Sequence, residues 1–274
     1  MRKTFIILLA CLVSIVLAAP VFANPISPGF NSNTLPANDD GSTGAVSTGF
    51  NFNFFGTTYT DLYVNNNGNV TFGGSMWTYT PFGLTTNTAI PIIAPFFADV
   101  DTRGAGSGIV SYGTGTYGGH NAFGVNWPNV GYYSEETDKL DNFQVLLVDR
   151  SDIGAGDADI YFNYGSMQWE TGDYSGGTDG LGGQSAHVGY SAGTGVAGSF
   201  FELPGSGVNG AFIDGGPDAL DTGTNDGTPG QYLFNVRNGS VTPVSVPEPS
   251  TLLMLGFGLA GLTVVRFMKK RGTA

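Results

Sequence analysis

Tyr63-Val64-Asn65-Asn66-Asn67-Gly68-Asn69-Val70-Thr71-Phe72 is the stretch whose reading decides the fold. Asn67-Gly68 stands between two apolar, β-branched arms, and both residues tolerate the positive φ of a tight hairpin turn. Two antiparallel strands are therefore predicted, and the same rhythm extends outward. Phe50, Phe52 and Phe54 point one way, while Asn51 and Asn53 point the other. A period of two recurs in Phe123, Val125 and Trp127; in Phe143, Val145 and Leu147; in Ile160, Phe162 and Tyr164; and in Tyr232, Phe234 and Val236. Such alternation puts one face on a core and the other in solvent, as antiparallel sheets do.

Turn-rich segments separate these runs, among them residues 104–106, 172–183 and 214–230. No long helical period occurs between the two ends, and no fixed repeat points to a propeller or β-helix. The expectation is an all-β chain: one antiparallel β-sandwich of roughly a dozen strands over residues 24–240. Composition agrees. Gly accounts for 44 of 274 residues, a supply of turn conformers, and 13% aromatics give enough bulk for a core. Between Asn24 and Val246 only Arg103, Lys139, Arg150 and Arg237 face 21 of the 22 acids. A surface so acidic repels phosphate backbones, which excludes nucleic acid as a partner.

The two ends read as addresses. Arg2-Lys3, an apolar stretch from Phe5 to Leu17 and the small-residue site Val21-Phe22-Ala23 predict a signal peptide over residues 1–23, cleaved after Ala23. A lipoprotein signal ending at Cys11 is the rival reading, but it leaves a very short apolar stretch. At the other end, Pro-spaced residues 241–249 read as a linker. An apolar helix over 250–266 and a basic tail follow, a membrane span with the tail on the cytoplasmic side. Pro247-Glu248-Pro249, the short span and the basic tail together resemble the PEP-CTERM sorting signal of Gram-negative bacteria. That resemblance implies a transient inner-membrane anchor, processing by an exosortase-type enzyme, and export in cells that make extracellular polysaccharide. An ordinary single-span anchor is the alternative.

A second resemblance covers the middle. Leu35-Pro36-Ala37-Asn38-Asp39-Asp40-Gly41 opens the domain, followed by Phe52-Asn53-Phe54-Phe55-Gly56 and the hairpin at 63–68. Then come Ile93-Ala94-Pro95-Phe96-Phe97-Ala98-Asp99-Val100-Asp101-Thr102, Phe123-Gly124-Val125-Asn126-Trp127, Asp159-Ile160-Tyr161-Phe162-Asn163-Tyr164 and Val188-Gly189-Tyr190. In that order these segments resemble the nidogen-like (NIDO) domain found in nidogen-, tectorin- and mucin-type proteins. The resemblance implies a secreted or cell-surface protein with a structural role in cell–matrix adhesion, and no enzymatic activity. The EGF-like and propeller modules of animal nidogens have no counterpart here, so their partners do not carry over.

Asp99 and Asp101 are the most suggestive polar pair. They fall on one face of a strand end, directly after an apolar run. One reading makes them ligands of a hard cation such as calcium, with Asp39, Asp40 or Asn65 to Asn67 completing the oxygen shell. The other has Arg103 or backbone N–H groups neutralise the pair in an ordinary turn. An EF-hand register from Asp99 fails, because its fifth and twelfth positions are Arg103 and Val110. The loop from Asp149 to Asp159 offers a second acidic cluster, also readable as a plain hairpin. Gly189-Tyr190-Ser191-Ala192-Gly193 fits a nucleophile elbow, but the following residues make a poor helix and both histidines precede the serine. Trp77 with Tyr79, and Trp127 with Tyr132 and Tyr133, read either as stacking platforms for extracellular polysaccharide or as core and rim. The alternatives to adhesion are thus a carbohydrate-binding module and, more distantly, an extracellular hydrolase.

Overall fold

The structure is a computed structural model and describes residues 25–244. The leader with Ala23, the motif Pro247-Glu248-Pro249 and the span at 250–266 lie outside the described residues.

Strands account for almost all the regular structure. In chain order they are β1 (Asn33–Thr34), β2 (Val46–Phe54), β3 (Thr57–Asn65), β4 (Asn69–Thr71), β5 (Ile92–Phe97), β6 (Val100–Asp101), β7 (Ser111–Tyr117) and β8 (His120–Tyr132). There follow β9 (Glu136–Asp149), β10 (Ala158–Tyr164), β11 (Gly177–Thr178), β12 (Leu181–Gly182), β13 (His187–Ser191), β14 (Phe200–Glu202), β15 (Gln231–Arg237) and β16 (Ser240–Pro243). A 3-10 turn at Asp173–Ser175 is the one helical element among the described residues.

Two antiparallel sheets carry the fold. One runs β14-β13-β5-β4-β3-β2; the other runs β1-β7-β8-β9-β10-β15-β16, with β6 paired to the far end of β8. Their facing sides meet in one core. Phe52, Phe54, Leu62, Val64, Val70 and Phe96 come from the first sheet, and Phe123, Val125, Phe143, Ile160, Phe162 and Phe234 from the second. Ring contacts stitch the sheets together: Phe96 lies 5.3 Å from Phe143, and Tyr190 5.4 Å from Phe234. The predicted phase holds along β2, where Phe52 and Phe54 are buried and Asn51 is exposed.

The hairpin that joins β3 to β4 is real, with Asn65 opposite Asn69, yet it does not lie at the surface. Asn65, Asn66, Asn67 and Asn69 are all buried. Buried amides need partners, and these find them in three other segments. Asn66 Nδ2 donates to Val100 O at 2.6 Å and to Asp39 O; Asn67 Oδ1 accepts from Val100 N at 3.0 Å. Asn65 Oδ1 accepts from Met76 N at 3.0 Å and from Ser42 Oγ at 2.7 Å. From the second sheet Trp127 Nε1 donates to Asn66 O at 2.9 Å. The turn is therefore a polar plug, and the chain crosses from β5 to β6, and so from one sheet to the other, directly against it.

One boundary needs correction. Val241, Thr242 and Pro243, expected as the start of the linker, belong to β16 and pair with Val236, Asn235 and Phe234. The side chain of Val241 is buried in the core, so the sheet captures the chain that far.

Gly68 adopts φ +71, and a Cβ on it would lie 1.7 Å from Phe96 O. Gly68→Ala must therefore displace β5 or open the turn. A loss of at least ~3 kcal/mol is expected from combined backbone strain and broken buried hydrogen bonds. Urea unfolding followed by tryptophan fluorescence measures it.

Candidate functional site

The plug holds up one acidic pocket. Asn38 Oδ1 accepts from Gly41 N at 2.6 Å, which curls residues 38–41 into a tight loop with Asp39 and Asp40 at its tip. The loop is tied down where Thr102 N donates to Asn38 O at 2.9 Å and Asn38 N to Thr102 Oγ1 at 2.9 Å. Asn67 Nδ2 reaches up from the plug to Asp40 Oδ1 at 2.8 Å. Across from these acids stands Asp99, on the crossover between β5 and β6.

Asp99 is 1% exposed. Its Oδ2 accepts from Ser175 Oγ at 3.3 Å, while its buried Oδ1 has no partner, and neither has Asp39 Oδ1. Gly172 makes this approach possible, since a Cβ there would lie 2.5 Å from Asp99 Oδ2. One carboxylate oxygen each from Asp39, Asp40 and Asp99 falls within 4.8 Å of the others. The cavity they line holds about 170 Å³ and is rimmed by Tyr79, Tyr133 and Tyr174. The Tyr174 ring meets Tyr133 edge-on at 5.1 Å and Tyr79 at 6.2 Å.

Burial also raises Asp141, Glu170 and Asp221 elsewhere in the fold, but here three raised carboxyls face one another. Burial, then the charge of Asp39 and Asp40, pushes Asp99 up to about 7. Burial, then Asp40 and Asp101, pushes Asp39 up to about 6. Asp40 is raised by burial too, against the opposing pull of Asn67 and Arg103. Asp101 goes the other way. Burial alone would raise it, but Arg103 grips it at 2.6 and 2.9 Å, Glu135 N donates at 2.9 Å, and it is held below the usual range.

The sequence pair Asp99 and Asp101 is thus split. Asp101 is neutralised in a turn by Arg103, whereas Asp99 joins Asp39 and Asp40. In the second acidic loop, Asp159 lies between Arg150 at 2.7 Å and Arg237 at 2.6 Å, and Asp152 also pairs with Arg150. That loop is an ion-paired hairpin. At the elbow-like segment Ser191 is buried and accepts from Gly193 N, while His187 Nδ1 sits 2.7 Å from Glu202.

The aromatic expectations also divide. Trp127 is corrected from ligand platform to core: it is fully buried and stacks on Phe143 at 5.0 Å. Its place in phase with Phe123 and Val125 already carried that signal. Trp77 is 69% exposed, and Tyr79 is exposed on the pocket rim. Tyr174, 71% exposed, and Ser175 were missed because they sit in a Gly-rich segment with no period to read.

Two outcomes follow. Asp39 and Asp99 ionise near 3.8 when unfolded, so the fold favours their protonated forms. Their contribution to stability is full below that value and is lost as pH rises through about 6 and 7. In chelator, the melting temperature falls from pH 5 to pH 8, and Asp99→Asn flattens the fall and stabilises by roughly 1–2 kcal/mol at the upper end. Calorimetric melts across pH check this. Separately, Trp127→Ala costs ~3–5 kcal/mol while Trp77→Ala stays within ~0.5 kcal/mol, as denaturant titration will register.

Comparison with known proteins places the chain in a family. The model of the NIDO related family matches residues 22–214, and that of the PEP-CTERM protein-sorting motif matches residues 245–270. The motif implies export to the cell envelope and processing by an exosortase-type enzyme. Alpha-tectorin of Mus musculus is 30% identical over 239 residues, covering 78% of this chain and 10% of its own length. Alpha-tectorin of Gallus gallus is 28% identical, covering 79% and 11%. Nidogen of Drosophila melanogaster is 31% identical over 209 residues, covering 67% and 14%. The chain thus spans about a tenth of the length of these relatives, and no solved structure matches. With most of its length matched, the chain belongs to the NIDO-related family.

Proposed function

We propose that this is an exported surface protein of a Gram-negative bacterium with a structural, non-catalytic role: adhesion of cells to matrix, or organisation of extracellular polysaccharide in a biofilm. One observation carries the reading. A NIDO-related domain is followed by a PEP-CTERM motif in one chain, so a matrix-type module is coupled to an envelope address. The sorting motif would be cut by the exosortase-type enzyme after transient anchoring through residues 250–266. The charge balance fits a soluble spacer in an anionic matrix, because like charges keep copies apart at low salt.

A second reading, direct carbohydrate binding, is favoured by the pocket rim. Tyr79 and Tyr174 are exposed beside carboxylates, and rings beside carboxylates are the combination that stacks on the apolar side of a sugar and hydrogen-bonds its hydroxyls. The experiment is a pull-down of matrix polysaccharide from the producing cells on immobilised protein. Retention that drops at least about tenfold with Tyr174→Ala, while the melting temperature holds, selects the carbohydrate-binding reading. Cell–matrix attachment that needs the protein but is indifferent to Tyr174 selects the purely structural one. Normal attachment and biofilm architecture in cells lacking the protein would discard both.

A further inference from the structure

We propose that Asp39, Asp40 and Asp99 form a binding site for a hard divalent cation of the Ca²⁺ class. The geometry carries the inference first. Ca²⁺–oxygen distances of 2.3–2.6 Å place the ligands of one ion at most about 5 Å apart. One oxygen from each of the three acids already falls within 4.8 Å of the others.

The unpaired atoms come second. Buried polar groups in folded proteins are nearly always bonded. Asp99, 1% exposed and lining the cavity, leaves Oδ1 without a donor, and Asp39 Oδ1 across the pocket is in the same condition. The neighbouring acid Asp101 shows how the fold treats a carboxylate it means to neutralise, with a guanidinium clamped on both oxygens. Arg103 extends only one contact into the cluster, to Asp39 Oδ2 at 3.2 Å. Three carboxylates and one shared cation leave negative charge that an ion can neutralise.

The seat is also held in place. Ser175 holds Asp99 Oδ2, Asn67 holds Asp40 Oδ1, and Arg103 holds Asp39 Oδ2, which lowers the cost of ordering the carboxylates around an ion. An all-oxygen donor set selects Ca²⁺, Mg²⁺ or Mn²⁺ over zinc or copper. Carboxylates from two separate loops suit the loose six-to-eight coordination of Ca²⁺ better than the strict octahedron of Mg²⁺. A cavity of about 170 Å³ leaves room for several waters beside the ion, and those positions open toward the tyrosine rim. The proposal holds for the domain whether or not polysaccharide is its ligand, so the two stand or fall separately.

The test uses the purified full-length chain in detergent, stripped with chelator. Calcium is titrated by calorimetry, and Tb³⁺ by luminescence excited through tyrosine, since three tyrosines rim the cavity. One saturable site is expected, with a dissociation constant of about 10⁻⁴–10⁻³ M, as in extracellular calcium modules. Terbium emission should be displaced by calcium. Asp99→Asn should weaken binding at least about tenfold, and Asp218→Asn, an exposed acid far from the cluster in sequence, should not. Should Asp99→Asn not fold, Asp40→Asn gives the same reading. Absence of saturable heat and of terbium emission up to about 10 mM, an order above the weakest such sites, overturns the proposal. So does unchanged binding in the folded Asp99 or Asp40 variant.

Discussion

The structure depends on a buried asparagine turn. An amide in a protein interior is costly unless each donor and acceptor is met, at about 1–3 kcal/mol for every group left unpaired. The β3–β4 turn buries four asparagines, and they are met by the 38–42 loop, by the β5–β6 crossover, by Met76 and by Trp127. Asn69 is met within the turn, by Asn65 and by Asn67 O, but the other contacts reach beyond the hairpin. Asn66 alone joins residues 38–39 to Val100, and its carbonyl takes the indole of β8. The turn thus specifies which loops meet, where an apolar plug of the same volume would hold them together without fixing their register.

Charge is organised by the same economy of partners. With few basic residues in the domain, each arginine is placed where it serves a buried or half-buried acid. Arg103 takes Asp101, while Arg150 and Arg237 share Asp159. Asp141, fully buried, takes the main-chain N–H groups of Gln168 and Trp169 on Oδ1, while its Oδ2 is left without a partner. The Asp39, Asp40 and Asp99 group differs in bringing three carboxylates together. Its members repel one another, two of them are driven far above the ordinary carboxylate range, and the fold supplies one peripheral guanidinium. Concentrated repulsion of that kind destabilises a fold, and it sits on the segment that links the two sheets.

Much of the fold was legible because alternation reports directly on burial. Phe52, Phe54, Phe123, Val125, Phe162 and Phe234 all lie where their phase puts them. The same phase placed Trp127 inward, and only its chemical type suggested otherwise. Alternation fails where both faces of a strand are covered. Leu146 and Val148 in β9 point away from the main core, yet are buried with Ala122 beneath Phe30, because the N-terminal segment lies across the outside of the sheet. The site was legible in its acids but not in its assembly. Asp39, Asp40 and Asp99 were readable as oxygen donors, whereas the removal of Asp101 by Arg103 needed coordinates. Tyr174 and Ser175 come from a glycine-rich stretch whose path is set by the 3-10 turn at Asp173–Ser175 and by Gly172, features with no periodic trace.

The plug and the pocket are two faces of one arrangement. Asn66 Nδ2 and Asn67 Oδ1 fix the crossover at Val100 below, and Asn67 Nδ2 donates above to Asp40 Oδ1 and to Thr78 O. Any shift of the 38–42 loop would therefore break hydrogen bonds inside the sandwich, and any shift of the crossover would move Asp99. A pocket supported in this way has little freedom to collapse and relieve its own repulsion. The same rigidity that makes the acids costly to the fold keeps their oxygens in a fixed constellation, which is what a site requires if recognition is not to be offset by the entropy of ordering it.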